Sequence, residues 1–357
     1  MLEADVEVDR RDFTVRAALR VAPGERLALF GPSGAGKTTL LEAIAGLVPM
    51  RRGRVALGGR VLTSTTPPVR AVPPWRRRIG LLRQDPGLFP HLSVRDNLRY
   101  APAAASGAEL AELAGLLGIG ELLPVMPARL SGGQAHRVAL GRLLLAHCDA
   151  LLLDEPYTGL DASLRRALTE LVVALVVARE VSAVLVAHEL ADAQAFAGRL
   201  AVLDRGCLLQ VGAPDEVVLR PASRRVAELV GYLGFLPVGA ALPGTSAGAG
   251  SSAAAGGAAQ GAVAGIHPER VIAGAHPDRG IVLAGVMTAG RPAGASWEAD
   301  LRVGESMITC RLPGRPAAPG GELVLTALDP PCFGPDGAAL PLAAGHGGMT
   351  WPQRARR

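Results

Sequence analysis

Short unbroken apolar runs alternate with longer amphipathic stretches through the first two-thirds of the chain. Arg26–Phe30 (RLALF), Ala150–Leu153 and Ala183–Ala187 are apolar runs of the length and continuity found in strands buried on both faces of a parallel sheet. Thr38–Leu47, Ala135–Ala146 and Leu164–Arg179 read as helices, the last of them between two of those strands. This βαβ rhythm predicts an α/β domain. Between Leu92 and Leu130, β-branched residues are few and Ala, Leu and Glu abound, which predicts a helical insertion over about 92–130.

The pattern changes after Tyr232. No Asp, Glu, Lys or Arg occurs between Glu228 and Glu269, and Gly244–Gly265 is almost entirely Gly, Ala and Ser. Such a stretch buries too little surface to offset its ordering entropy, so a flexible linker is expected over 233–265. Short Val/Ile/Leu runs broken by Gly and Pro then return, predicting a small β domain over 266–332. The remainder, 333–357, reads as a disordered tail ending in RARR.

Composition narrows the class. A length of 357 residues suits about two domains. Four scattered cysteines, Cys148, Cys207, Cys310 and Cys332, form no CxxC pair and have no His at ligand spacing, arguing against a disulfide scaffold or structural zinc. The opening MLEADVEVDRRDF is too acidic for a secretory signal. The longest apolar stretch free of Gly and Pro, Leu171–Ala178, is far short of the ~18 residues of a membrane span. A net charge of +5 admits an anionic partner without requiring one. Lys37 is the only lysine, and the other 36 basic residues are arginine. A lysine kept against that bias marks a place where a compact point charge serves and a planar fork does not.

Lys37 lies inside Gly31–Thr38 (GPSGAGKT), the pattern G-x-x-x-x-G-K-[ST], between a predicted strand and a predicted helix. Glycines let backbone N–H groups close around phosphate oxygens, the helix start adds positive potential, Lys37 reaches the β- and γ-phosphates, and the Thr38 hydroxyl suits Mg²⁺. Leu151–Glu155 (LLLDE) ends a strand in two carboxylates: Asp154, placed for the Mg²⁺ shell, and Glu155, placed to orient or deprotonate an attacking water. Leu130–Gln134 (LSGGQ) precedes a helix, so Ser131, Gly132 and Gly133 form a second anion-binding start. One nucleotide needs only one such start in cis, and the economical reading is a head-to-tail dimer in which each phosphate loop faces the partner's SGGQ.

These three motifs, in this order, resemble the nucleotide-binding subunits of ATP-binding cassette transporters over Met1 to about Tyr232. The resemblance implies a P-loop NTPase cassette at 1–232 with a helical subdomain at about 92–130, and ATP and Mg²⁺ as cofactors. It implies that Gly31, Pro32, Ser33, Gly34, Ala35, Gly36, Lys37, Thr38 and Thr39 hold the nucleotide with Ser131, Gly132, Gly133, Gln134 and Asp161. Gln84 matches the glutamine that senses Mg²⁺ and γ-phosphate, and His188 matches the switch histidine. Catalysis is thereby expected from Glu155, His188 and Gln84, and metal binding from Thr38, Gln84 and Asp154. A second copy, integral membrane permease subunits and, indirectly, an extracytoplasmic solute-binding protein are the implied partners, at the cytoplasmic face of a membrane. No nucleic acid is expected.

The segment WRRRIGLLRQDPGLFPHLSVRDNLRY resembles ATPases of bacterial molybdate and other oxyanion importers, and IHPERV at 266–271 resembles the start of their appended β-barrel-like regulatory domain. Importers of sulfate, iron, polyamine or sugar, and soluble non-transport ATPases of the same family, are the alternatives. The chain departs from the family pattern where Ala135 and His136 precede Arg137, where Arg83 precedes Gln84, and in lacking a plain adenine-stacking aromatic, Phe13 being the nearest.

Overall fold

A computed structural model of the chain describes residues 1–100, 106–237, 261–276, 279–316 and 318–340. The Gly/Ala/Ser stretch and the tail expected from the sequence fall largely outside the described residues. The chain divides into two compact units, Met1–Val217 and Val218–Arg357.

The first unit begins with strands β1 (Leu2–Asp9), β2 (Thr14–Val21) and β3 (Arg26–Phe30), helix α1 (Lys37–Ala45), and strands β4 (Arg52–Leu57), β5 (Arg60–Ser64), β6 (Arg70–Ala71) and β7 (Ile79–Leu82). Helices α2 (Val94–Arg99), α3 (Gly107–Leu116) and α4 (Gly132–Leu145) follow. The unit closes with β8 (Ala150–Asp154), α5 (Ala162–Ala178), β9 (Ser182–Ala187), α6 (Leu190–Phe196), β10 (Arg199–Asp204) and β11 (Cys207–Gly212), and α7 (Pro214–Leu219) lies across the division. One sheet of 11 strands runs β6-β5-β4-β1-β2-β11-β10-β3-β9-β8-β7. Its β10-β3-β9-β8-β7 portion is parallel.

Every residue of β8 and β9 is buried, as expected for strands covered on both faces. Leu152 and Val184 are fully buried in the core with Leu27, Leu29, Leu40 and Ile44. Truncating one such leucine to alanine costs about 2–5 kcal/mol, so this layer fixes the heights at which the strand ends emerge. The antiparallel β1, β2, β4 and β5 carry a different code: Leu2, Ala4, Val6 and Val8 are buried while Glu3, Asp5 and Glu7 between them are not.

The expected insertion at 92–130 contains α2, α3 and two 3₁₀ turns, Gly120–Leu122 and Pro127–Arg129. Pro124 and Pro127 interrupt longer helices by removing backbone donors. Helix α4 starts ahead of the apolar run because Ser131 accepts from the Gln134 N–H while Gln134 Oε1 accepts from the Ser131 N–H, a capping box.

In the second unit, α8 (Arg224–Leu229) is followed by β12 (Gly234–Pro237), β13 (Val263–Ile266), β14 (Val271–Ala273), β15 (Gly280–Ala293), β16 (Ser296–Val303), β17 (Ser306–Leu312), β18 (Glu322–Leu328) and β19 (Cys332–Phe333). An antiparallel five-stranded sheet, β14-β18-β15-β16-β17, curls until its edge strands β14 and β17 approach each other, giving the barrel-like form expected. Its inner face holds Leu283, Met287, Leu301, Ile308, Cys310 and Leu325. Among the described residues, no helix is long and apolar enough to cross a membrane.

Candidate nucleotide site

Four neighbouring parallel strands end level with one another. Phe30 pairs with Ala187, Val186 with Asp154, and Leu153 with Leu82. The residues that follow, Gly31, His188, Glu155 and Arg83–Gln84, therefore emerge side by side at the carboxyl edge of the sheet, where open α/β sheets bind ligands. This register brings together the phosphate loop, both strand-end carboxylates, Gln84 and His188. Gln84 and His188 are exposed there.

The loop from Gly31 to Gly36 is shaped by contacts that exclude side chains. A Cβ on Gly31 would lie 2.0 Å from the Leu203 carbonyl oxygen, and one on Gly36, at φ +101°, would lie 2.7 Å from Val15 Cγ2. The Gly206 N–H donates to the Ala35 carbonyl, so the turn between β10 and β11 floors the loop. Phe13 borders it as well, 3.3 Å from the Gly36 Cβ position. Helix α1 begins at Lys37 with no acid in its first turn, leaving its N-terminal potential unneutralised.

Lys37 is only 6% exposed, and its ammonium donates to the carbonyls of Gly31 at 2.7 Å and Pro32 at 2.9 Å. Burial pushes its pKa down, while Glu155 and then Asp154 work in the opposite direction. Asp154 is 2% exposed and its Oδ1 has no hydrogen-bond partner. Desolvation pushes this carboxyl above the usual carboxylate range; Thr38 beside it opposes that, and the neighbouring Glu155 adds to it. A buried carboxylate oxygen left unpaired beside a threonine hydroxyl is a donor set for a hard divalent cation.

Glu155 follows the strand with φ +50°, a left-handed conformation uncommon for a non-glycine residue. Its N–H is tied to the Val186 carbonyl at 3.2 Å. The neighbouring strand thus holds the strained residue in place.

The Ser131–Gln134 start stands apart from this cluster: among the described residues no hydrogen bond joins it to Gly31–Thr39. The capping box occupies the Ser131 and Gln134 side chains, while the N–H groups of Gly132 and Gly133 are first-turn donors that α4 itself does not use. A Cβ on Gly133 would lie 3.3 Å from the Gly159 carbonyl oxygen, so the motif abuts the segment leading to Asp161. Asp161 caps α5 by accepting from the Leu164 N–H at 3.0 Å.

Two residues that sequence reasoning passed over join Gln84's loop to the helices. Asn97, fully buried on α2, accepts from the Phe89 N–H at 2.8 Å and donates to the carbonyls of Phe89, Leu92 and Ser93. Arg142 on α4 donates to the carbonyls of Pro86 and Gly87 and lies over the Phe89 ring. Their signal is three-dimensional, since a polar residue in a helix looks solvated until its partners are known.

The ABC transporter family profile matches residues 15–158. The Fe(3+) ions import ATP-binding protein FbpC of Mesorhizobium japonicum is 41% identical over 223 residues, covering 61% of this chain and 61% of that protein. The molybdate/tungstate import ATP-binding protein WtpC of Thermococcus kodakarensis is 38% identical over 234 residues, covering 64% of this chain and 69% of its own length. The chain belongs to the ABC transporter family. The molybdenum import ATP-binding protein ModC of M. japonicum is similar to the cassette at 41% identity over 222 residues, 60% of each chain. The cassette's fold matches a solved dimeric ATP-binding cassette in a post-hydrolysis state with ADP and Pi, at TM-score 0.52 and 24% identity, covering 60% of this chain and 99% of that one. This ABC chain spans about three-fifths of the length of the first curated relatives it matches.

Proposed function

We propose that this chain is the ATP-hydrolysing subunit of an import system, working as a head-to-tail dimer beneath a membrane permease on the cytoplasmic side. The observation that carries the reading is the level row of strand ends: phosphate loop, His188, Asp154–Glu155 and Gln84 on four adjacent strands.

In this reading the loop N–H groups and the start of α1 bind the phosphates of ATP. Lys37 leaves the Gly31 and Pro32 carbonyls to meet the β- and γ-phosphates, with the two neighbouring carboxylates opposing the downward pull of burial on its ammonium. Asp154 and Thr38, with Gln84, would hold Mg²⁺, which would neutralise charge on the phosphate oxygens. Glu155 orients the attacking water and takes its proton. His188 contacts the γ-phosphate from the next strand. The first-turn donors at Gly132 and Gly133 of one copy close over the ATP of the other, and Asp161 lies at that junction. A solute-binding protein outside the membrane supplies the cargo.

Molybdate or a related oxyanion is the proposed cargo, supported by the relatives named for molybdenum and molybdate/tungstate import. The relative named for Fe(3+) import keeps iron beside it. The test is phosphate release from ATP by the full chain, with and without Mg²⁺, beside Lys37→Ala. Mg²⁺-dependent turnover lost in the variant supports the reading, and a wild-type chain that binds no ATP refutes it. Uptake of labelled molybdate or iron by cells carrying the cognate permease separates the cargoes.

A further inference from the structure

From Ala43 to Gln84 the sequence holds nine arginines and no Asp or Glu. Five of the nine are accounted for. Arg51 and Arg54 pair with acids of β1, Arg78 with Asp149 and Arg83 with Glu42. Arg77 is buried at 4% exposure and donates to the Val72 and Ile44 carbonyls and to Thr63 Oγ1. Arg52, Arg60, Arg70 and Arg76 are exposed and have no carboxylate partner among the described residues. Arg60 and Arg76 are neighbours, the Arg60 guanidinium reaching the Arg76 carbonyl at 3.4 Å.

Within this charged surface stand two large apolar side chains facing water: Val69 at 74% exposure and Trp75 at 82%. They flank the short edge strand β6, and Pro67 and Pro68 beside Val69 are exposed too. The Trp75 turn is held firmly. It is a 3₁₀ turn, Pro74–Arg76, with Pro73 before it and the buried Arg77 bolting its end to α1 and β5. Arginine on an edge strand is the ordinary guard against strand-to-strand aggregation. That accounts for Arg70 but not for an exposed tryptophan and valine, which would promote association. A single-stranded nucleic acid surface needs a groove and successive stacking platforms, whereas this corner has one aromatic, and Val69 offers no π-face. An exposed indole beside Arg76, which Arg60 reaches, on a sheet edge that also carries the exposed Val69 and Arg70, matches a bilayer interface, where tryptophan lodges at headgroup depth and arginines meet anionic lipid.

We propose that the Pro67–Arg76 corner, with Arg52 and Arg60, is a membrane-contact surface that takes an anionic lipid bilayer. The proposal does not depend on ATP chemistry, so its failure and that of the functional reading are separable.

The experiment is co-sedimentation of the full nucleotide-free chain with vesicles of phosphatidylcholine alone or with added phosphatidylglycerol, at low and high salt. Binding to the anionic vesicles only, weakened by salt, is expected. In a Trp297→Phe/Trp351→Phe background the emission of Trp75 should shift to the blue on binding. Arg70→Gln and Arg76→Gln should each weaken binding about five-fold, Trp75→Ala should weaken it further, and Arg70→Lys should retain most of it. All these positions are exposed, so melting temperatures should match the wild type. Failure of the wild type to bind anionic vesicles overturns the proposal, as does undiminished binding by Trp75→Ala combined with the Gln changes. Loss of single-stranded DNA binding in Trp75→Ala, with vesicle binding intact, would reassign the corner to nucleic acid.

Discussion

Replacing Glu155 by glycine and by glutamine separates two things the residue does at once. Its backbone is left-handed at φ +50°, which costs a non-glycine residue about 1–2 kcal/mol. Glycine removes that cost but adds about 0.4–1 kcal/mol of unfolded-chain freedom. The net gain is about 0.5–1 kcal/mol, or about 1–4 °C in melting temperature for a unit of this size. Glutamine keeps the strained backbone and the side-chain shape. Both variants lose the charge that supports Lys37, so that loss cancels in the comparison between them. Glu155→Gly should therefore melt above Glu155→Gln, while both lose about 10²–10⁴ in turnover if the carboxylate is the base. Calorimetry of the nucleotide-free chain and a phosphate-release assay suffice. A glycine variant melting at or below the glutamine variant would show that no strain is held there, and one turning over at the wild-type rate would remove the carboxylate from the mechanism.

Asp154→Asn should raise the melting temperature of the nucleotide-free chain at neutral pH, because it removes a buried charge with an unpaired oxygen. The sign follows from the raised native pKa: the folded state holds the proton more tightly, so stability is greatest when the carboxyl is protonated and falls as pH rises through the native pKa, a fall the Asn variant should lack. Lys37→Arg should weaken ATP binding or turnover despite conserved charge, since the larger planar fork does not fit between the Gly31 and Pro32 carbonyls; isothermal titration reads the affinity, and unchanged values would count against the role. Mixed dimers of Lys37→Ala and Gly132→Asp chains should retain activity that both homodimers lack, because one composite site is then intact; a side chain at Gly132 meets nothing within 4 Å in its own chain, so the aspartate should not disturb folding, and a silent mixture would favour use in cis or strict coupling of the sites.

Sequence reasoning reached the parallel layer because a strand buried on both faces announces itself as a continuous apolar run, as Ala183–Ala187 does. It reached the phosphate loop because glycine spacing is a backbone requirement written one residue at a time. It passed over the antiparallel β1 and β2, although the alternation of Leu2, Ala4, Val6 and Val8 was there to read; charged residues between them diluted the run. Helix starts moved for a local reason, the Ser131–Gln134 box setting α4 ahead of its first apolar residue. Leu203 over Gly31, Asn97 under Phe89 and Arg142 across Pro86 are contacts between residues far apart in sequence, and no window along the chain contains them.

The clasp made by Asn97 and Arg142 has a consequence for how this cassette can bend. Chain enters the helical part after β7 and leaves it through α4 into β8. Arg142, on the exit helix, grips the entry segment at Pro86 and Gly87, and Asn97 grips it again at Phe89. Entry, α2 and α4 are thereby fastened into one body. Between the end of β7 and the first clasped carbonyl lie Arg83–Asp85, with Arg83 paired to Glu42 of α1 at 2.9 Å and the Asp85 carboxylate accepting from the Gly87 N–H at 3.0 Å. Gln84 sits at the pivot itself, so a rotation of the helical body by any docked partner is delivered first to the backbone dihedrals of that glutamine.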